Sequence, residues 1–190
     1  MEELKNHIQN FINIERERLE ILEHYFEKKV YKKKETILSE GQICDEKFFV
    51  AKGCLQIFFL KQNGIDQTID FAIENWWATD FSAFGNNAQS QYSIRTTEKA
   101  ELFAITYSNQ LKLLELIPEL EQYFHRIFQI AYAASQNRIK YLYEFSREDL
   151  YRTFVKNYPE FVQRVPQYLL ASFLGFTPEY LSELRKKFIS

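Results

Sequence analysis

The sequence predicts an α+β chain: an N-terminal helix, a small β-barrel of short strands, one long helix and a compact helical C-terminus. Three observations carry this. Apolar residues recur at helical spacing before residue 28 and again after residue 109. Between them the runs shorten, turn β-branched and aromatic, and are punctuated by turn residues. Finally, the segment from Pro166 to Phe188 reads as two helices around a single glycine.

Composition bounds the reading. The chain has 190 residues, 46% apolar, 26% charged and 17% aromatic, so it can bury a core and is not disordered. No stretch approaches the ~20 apolar residues of a membrane span. Met1 to Asn10 is polar, which argues against a signal peptide and for a cytoplasmic protein. The net charge of −2 names no partner. Two cysteines, Cys44 and Cys54, are too few for a four-thiolate zinc or iron–sulfur site and read as free thiols. There is no G-x-G-x-x-G, phosphate loop or G-x-S-x-G, and the three histidines lie far apart in helical patterns. No catalytic constellation, metal site or cofactor is expected, and the chain does not read as an enzyme.

Residues 3–27 form the first predicted helix, with Leu4, Ile8, Phe11, Ile12, Leu19, Leu22, Tyr25 and Phe26 on its apolar side. Lys28 to Lys34 holds five lysines in seven residues, a solvated strand edge or an anion patch. Strands follow at Thr36–Leu38, Lys47–Ala51, Cys54–Leu60, Gln67–Ile73, Tyr92–Thr96 and Leu102–Ile105. Asn63-Gly64 is the best hairpin signal, since both residues tolerate positive φ. Six short strands with tight turns imply a small barrel or sandwich.

From Asn109 the helical period returns. A helix from about Pro118 to Phe145 would be ~40 Å long. Its stripe Leu120, Phe124, Ile127, Ala131 and Ala134 is a candidate homodimer seam, the alternative being packing on its own barrel. Ser146 with Glu148 and Asp149 reads as a hinge and helix cap, and Leu150 to Tyr158 as a short helix ahead of Pro159. These elements divide the chain at 1–117, 118–145 and 146–190.

The C-terminal signal is the sharpest. Pro166 suits a helix start, Leu169, Leu170, Phe173 and Leu174 give an apolar face, and Gly175 offers the positive φ of a sharp stop. Thr177 can cap the next helix and Pro178 fits its first position. Ala171 permits a close helix crossing against Leu181 and Leu184. This is helix-turn-helix spacing, although an ordinary helical hairpin shares much of it. The tail Arg185-Lys186-Lys187 can meet phosphate, and residues 147–190 carry two more basic than acidic side chains.

In this order, with the stretches EGQICDEKFFVAKGCLQIFFL and RVPQYLLASFLGFTPEYLSELRKK, the chain resembles the Crp/Fnr family of bacterial transcription regulators over essentially its whole length, in the short form of Bacteroidetes-like bacteria. The resemblance implies a cyclic-nucleotide-binding-like jelly roll, a homodimer through the long helix, binding to double-stranded promoter DNA, and RNA polymerase as a further partner. Cyclic-nucleotide binders of the family carry a Gly-Glu pair and a later arginine for the ribose and phosphate. Here Ala78-Thr79 and Ser90 stand at those positions, Asp80 would repel phosphate, and Arg95 comes five residues late. Cyclic AMP and cyclic GMP are therefore not the expected effectors. Trp76, Trp77, Phe81 and Phe84, with Ala78, Thr79 and Ser90, wall either a pocket for an unknown small molecule or an apolar core. By position in the family, Thr177, Pro178, Glu179, Ser182 and Glu183 would read bases, with Arg185, Lys186 and Lys187 on phosphates. Many relatives have arginine at position 183, and no C-terminal wing follows the second helix, which leaves a second reading: an interaction module on the same fold that has lost specific DNA binding.

Overall fold

Two four-stranded antiparallel sheets carry the β-structure. Strands β1 (Glu27–Tyr31), β3 (Glu46–Lys52), β6 (Trp77–Ala78) and β8 (Ala100–Thr106) form one, in the order β1-β8-β3-β6. Strands β2 (Thr36–Leu38), β4 (Leu55–Leu60), β5 (Asp66–Ala72) and β7 (Ser93–Thr96) form the other, in the order β2-β7-β4-β5. The helices are α1 (Glu2–Gln9), a 3₁₀ segment (Arg16–His24), α2 (Tyr107–Leu116), α3 (Glu119–Glu144), α4 (Arg147–Asn157), α5 (Pro159–Arg164), α6 (Gln167–Leu174) and α7 (Pro178–Ile189). This computed structural model describes residues 1–189. The α+β expectation holds, as two antiparallel sheets with flanking helices.

The chain divides into two compact units: Met1–Phe59 with Ile69–Phe128, and Leu60–Thr68 with the residues from Gln129 onward. In the first unit, alternation along the strands explains why the first sheet reads as a continuous apolar run. Phe48 and Val50 of β3, and Leu102 and Ala104 of β8, face a core shared with Leu55, Ile57 and Ile94 of the second sheet. Their neighbours Phe49, Phe103 and Ile105 face a second core with Leu4 and Ile8 of α1, Leu19 and Leu22 of the 3₁₀ segment, and Leu120, Tyr123 and Ile127 of α3. A sheet buried on both faces requires apolar residues at consecutive positions. Gly53, at φ 106°, joins β3 to β4 where a Cβ would meet Lys99 O at 2.7 Å, so no other residue fits without a shift.

The N-terminal helix is shorter than its periodicity suggests. The α-helix stops at Gln9, and Asn10 to Glu15 is irregular before the 3₁₀ segment. Ile12 and Ile14 are nevertheless buried, and Gln9 Nε2 donates to Ile14 O at 3.1 Å. Apolar residues at helical spacing thus reach the core from a bent segment. The lysine run is part strand: Lys28 and Lys29 lie in β1, paired with Glu101 and Glu46.

In the second unit, α4 to α7 bury Tyr151, Val162, Leu170, Ala171, Leu174, Phe176, Leu181 and Leu184 in one cluster. Ser146 caps α4 by accepting from Asp149 N at 3.2 Å. Pro159 opens α5 as its first residue. The Asn63-Gly64 turn also belongs here, closed by Gly64 N donating to Lys61 O at 2.8 Å.

Candidate functional site

Two places carry the residues singled out in the sequence. The first follows β6. Register pairs Phe48 with Ala78 and Phe49 with Trp77, so the two β6 residues point to opposite faces. Trp77 joins the helix-side core, where its Nε1 donates to Tyr123 Oη at 2.9 Å. Ala78 joins the core between the sheets, with Trp76 packed against that core. The expected pocket of Trp76, Trp77, Ala78, Thr79 and Ser90 is therefore not one cavity. Thr79 is turned inward: its Oγ1 donates to Glu46 O at 3.0 Å and lies 3.2 Å from Cys44 Sγ. Burial pushes the Cys44 thiol up, so it stays protonated.

Asp80 makes the unforeseen arrangement. It is 2% exposed. One carboxylate oxygen accepts from Ser82 N at 2.9 Å and Ala83 N at 3.2 Å. The other accepts from Gln91 N at 2.8 Å and lies 3.1 Å from Ser90 Oγ, a hydroxyl shared with Tyr92 O. Three backbone amides and a hydroxyl form an anion cradle, and the chain fills it with its own carboxylate. Arg95 is not part of it: its guanidinium donates to Gln56 Oε1 at 3.0 Å and stacks on Phe58. Beside the cradle, an open groove of about 460 Å³ runs between Gly41, Phe59 and Tyr92, and Ser90 is the one expected effector residue that lines it.

The second place is the pair α6–α7. Gly175 takes φ 76°, and Phe176 N donates to Ala171 O at 2.8 Å, the six-to-one bond of a glycine C-cap. Thr177 Oγ1 accepts from Tyr180 N at 3.2 Å, capping α7 as the sequence suggests. Ala171 and Leu181 are fully buried at the crossing. Glu179, Ser182, Glu183 and Lys186 are all exposed on one side of α7. Of the basic tail, Lys187 Nζ bonds both carboxylate oxygens of Glu148 at 2.8 Å, and Arg185 is half-buried beside Tyr151. Of the expected phosphate-binding trio, Lys186 and Lys187 are thus exposed and Arg185 is half-buried.

The long helix corrects the expected seam. Leu120 and Ile127 are buried in the first unit's own core, and Phe124 packs against it. Ala131 is half-buried and Ala134 exposed. The exposed apolar face is rotated from that stripe. Phe128, Tyr132, Ile139 and Leu142 are each about half exposed. With Ser135 they step by four, three, four and three, the spacing of a coiled-coil seam.

Among the described residues no three histidine, cysteine or acidic side chains gather as a metal site, and no helix is long and apolar enough to cross a membrane.

Comparison with known proteins agrees with this architecture. Residues 28–116 match the model of the cyclic nucleotide-binding domain. No protein of curated function matches the sequence. Among solved structures, FixK2 from Bradyrhizobium japonicum is similar at a TM-score of 0.73 and 12% identity, over 85% of this chain and 83% of that one. The c-di-GMP-responsive global regulator CLP of Xanthomonas campestris is similar at 0.72 and 15% identity, over 92% and 91%. A transcriptional regulator of the Crp/Fnr family from Eubacterium rectale is similar at 0.71 and 13% identity, over 96% and 87%.

Proposed function

Because residues 28–116 carry a cyclic nucleotide-binding domain and the chain has the fold of Crp/Fnr-family transcription regulators, we propose that it binds double-stranded DNA as a homodimer and regulates transcription. The observation that carries this reading is the exposed face of α7. A helix capped by Thr177 after a glycine turn presents Glu179, Ser182, Glu183 and Lys186 together, while its other side is buried against α6. Side chains at these helical steps can reach base edges in a major groove, and Lys186 can meet phosphate. Glutamate accepts from cytosine N4–H, so Glu179 and Glu183 favour operators with cytosine at the positions they reach.

The effector side differs from that of a cyclic-nucleotide sensor. A cyclic phosphate needs backbone amides and a cation. The amides around Asp80 are already bonded to a carboxylate, and position 90 is serine. An effector, where one acts, is a small molecule recognised by other means, or the protein regulates without one. RNA polymerase is the expected further partner at the promoter.

The test begins with capture of genomic fragments on the purified protein. The selected fragment then goes into mobility-shift titrations at several salt concentrations. A regulator gives a specific complex that outlasts non-specific complexes as salt rises, with affinity falling steeply overall. Retention of no fragment above background at any salt would leave the interaction-module reading in its place.

A further inference from the structure

Lys47 lies in β3 with 6% of its surface exposed. Its Nζ sits 3.8 Å from the ring centre of Phe124, 4.8 Å from Trp77 and 5.3 Å from Phe84. Those three ring contacts are its polar surroundings: among the described residues no carboxylate, carbonyl or hydroxyl bonds the amine. An ammonium brings three N–H donors. Ring faces attract its charge, but with 6% of the residue exposed they leave it only part of the water that would solvate an ammonium. A neutral amine sits in the same box at smaller cost, and burial accordingly pushes Lys47 down to about 7.

The neighbouring elements supply no counter-charge. On β3, Glu46 bonds Lys29. From α1, His7 faces Tyr123 Oη, which also accepts from Trp77. On α3, Glu119 pairs with Arg18, while Glu121, His125 and Arg126 are exposed. Tyr107 of α2 packs on Phe84, and Asp80 is turned to its own amides. The box thus joins the β-sheet to the first turns of α3, the helix whose later turns carry the apolar seam.

We propose that Lys47 is a proton-operated latch on the first turns of α3: losing the proton locks Phe124 onto the sheet, and gaining it loosens that contact. With the helix loosened, the amine returns to water and to its ordinary pKa of about 10.4. The locked state therefore binds fewer protons between about pH 7 and 10, and locking strengthens by up to about tenfold per pH unit in that window. Below about pH 7 both states are protonated and the dependence ends. His7 acts in a separate window, below about pH 6.5. The latch does not depend on DNA binding.

Two measurements on the whole protein decide it. In a sample labelled with ¹³C at the lysine ε-carbons, the Lys47 signal is assigned by its proximity to the Phe124 and Trp77 ring protons. It should titrate near neutrality while the other lysines titrate around pH 10. Hydrogen exchange of residues 120–127, corrected for intrinsic rates, should show α3 opening fall about tenfold between about pH 7.5 and 8.5. In Lys47→Met the same opening should change less than about twofold over that range. A Lys47 signal with an ordinary lysine midpoint overturns the proposal, whether or not the variant folds. So does an unaltered pH dependence of α3 opening in Lys47→Met.

Discussion

A carboxylate that accepts three backbone N–H bonds holds its turn together more firmly than a neutral side chain could, because each bond is charge-assisted. Asp80 does this for the segment from Ser82 to Gln91. Replacing it with alanine takes the carboxylate acceptor from the Ser82 and Gln91 amides, while Ala83 N keeps the residue-80 carbonyl at 3.1 Å, a loss of about 1–3 kcal/mol. We expect a lower urea midpoint for Asp80→Ala, partly restored by tens of millimolar sulfate, since an inorganic anion can enter the emptied cradle. A sulfate-insensitive Asp80→Ala would show that the amides do not form an anion site. The wild type, with its cradle filled, should give no saturable heat with cyclic AMP or cyclic GMP in calorimetry; a micromolar dissociation constant for either would contradict the assignment. At this scale the sequence was legible where the chemistry is local. Gly175 and Thr177 act within a few residues of themselves, and both do what their types suggest. In the sequence Asp80 is legible only as a charge that repels phosphate. Its real role depends on Ser90 and Gln91, ten and eleven residues away, which the fold alone brings to it.

Elements fail or succeed by the face they turn inward. On α3 the residues Leu120, Tyr123 and Ile127 are spent on the first unit's core, so a helical stripe through Ala131 and Ala134 cannot serve throughout as a seam between copies. Ile139 and Leu142 remain exposed on a four–three repeat. Ile139→Glu or Leu142→Glu should convert the proposed dimer to a monomer in sedimentation with the circular dichroism unchanged, whereas Ile127→Glu should cost folding itself. A dimer that survives both Ile139→Glu and Leu142→Glu would place the interface elsewhere. Periodicity misled here because a core-facing stripe and a seam have nearly the same spacing, and it misled again at residues 10–15, where a bent segment mimics a helix. For α7 the exposed side came out as the spacing suggested. Lys186→Ala should weaken binding to all DNA sequences alike and lower the salt slope by about one. Glu183→Ala should either shift base preference by about 1–3 kcal/mol or tighten binding generally, as a negative charge leaves the phosphate surface. Lys187→Ala should also release Glu148, so its effect should include a loss of stability as well as of DNA affinity. If Lys186→Ala and Glu183→Ala leave affinity, preference and salt slope all unchanged, α7 is not the DNA-reading helix.

Over the whole molecule, the order helix, sheets, long helix, helix pair was readable because hydrophobic periodicity changes at each border. Which strands pair was not, since β1 meets β8 and β2 meets β7 from distant parts of the sequence, as in Glu27 with Ala104 and Thr36 with Arg95. Long-range pairing also creates the buried bases that set the response to pH. Burial lowers both His7 and Lys47, so the folded protein binds fewer protons than the unfolded chain at each site. A base depressed in the folded state contributes stability that grows with pH up to its unfolded pKa. For His7 that growth ends near pH 6.5, and for Lys47 it runs from about pH 7 toward 10.4. Opposing effects enter later. The Cys44 thiol is raised by burial and loses ground once the unfolded thiol ionises, above about pH 8.5. Tyr123 is also raised by burial and does the same above about pH 10. Between about pH 7 and 8.5 Lys47 therefore dominates among these four groups, and the unfolding free energy should climb by up to about 1.4 kcal/mol per pH unit. Urea denaturation of the wild type should show that climb. Lys47→Met should be more stable than wild type at pH 7, nearly flat across the window, and should converge toward it as pH rises. A wild-type curve already flat from about pH 7 to 8.5, or a Lys47→Met curve that keeps the slope, would mean that the aromatic box holds Lys47 charged and that its proton is not released in the folded state.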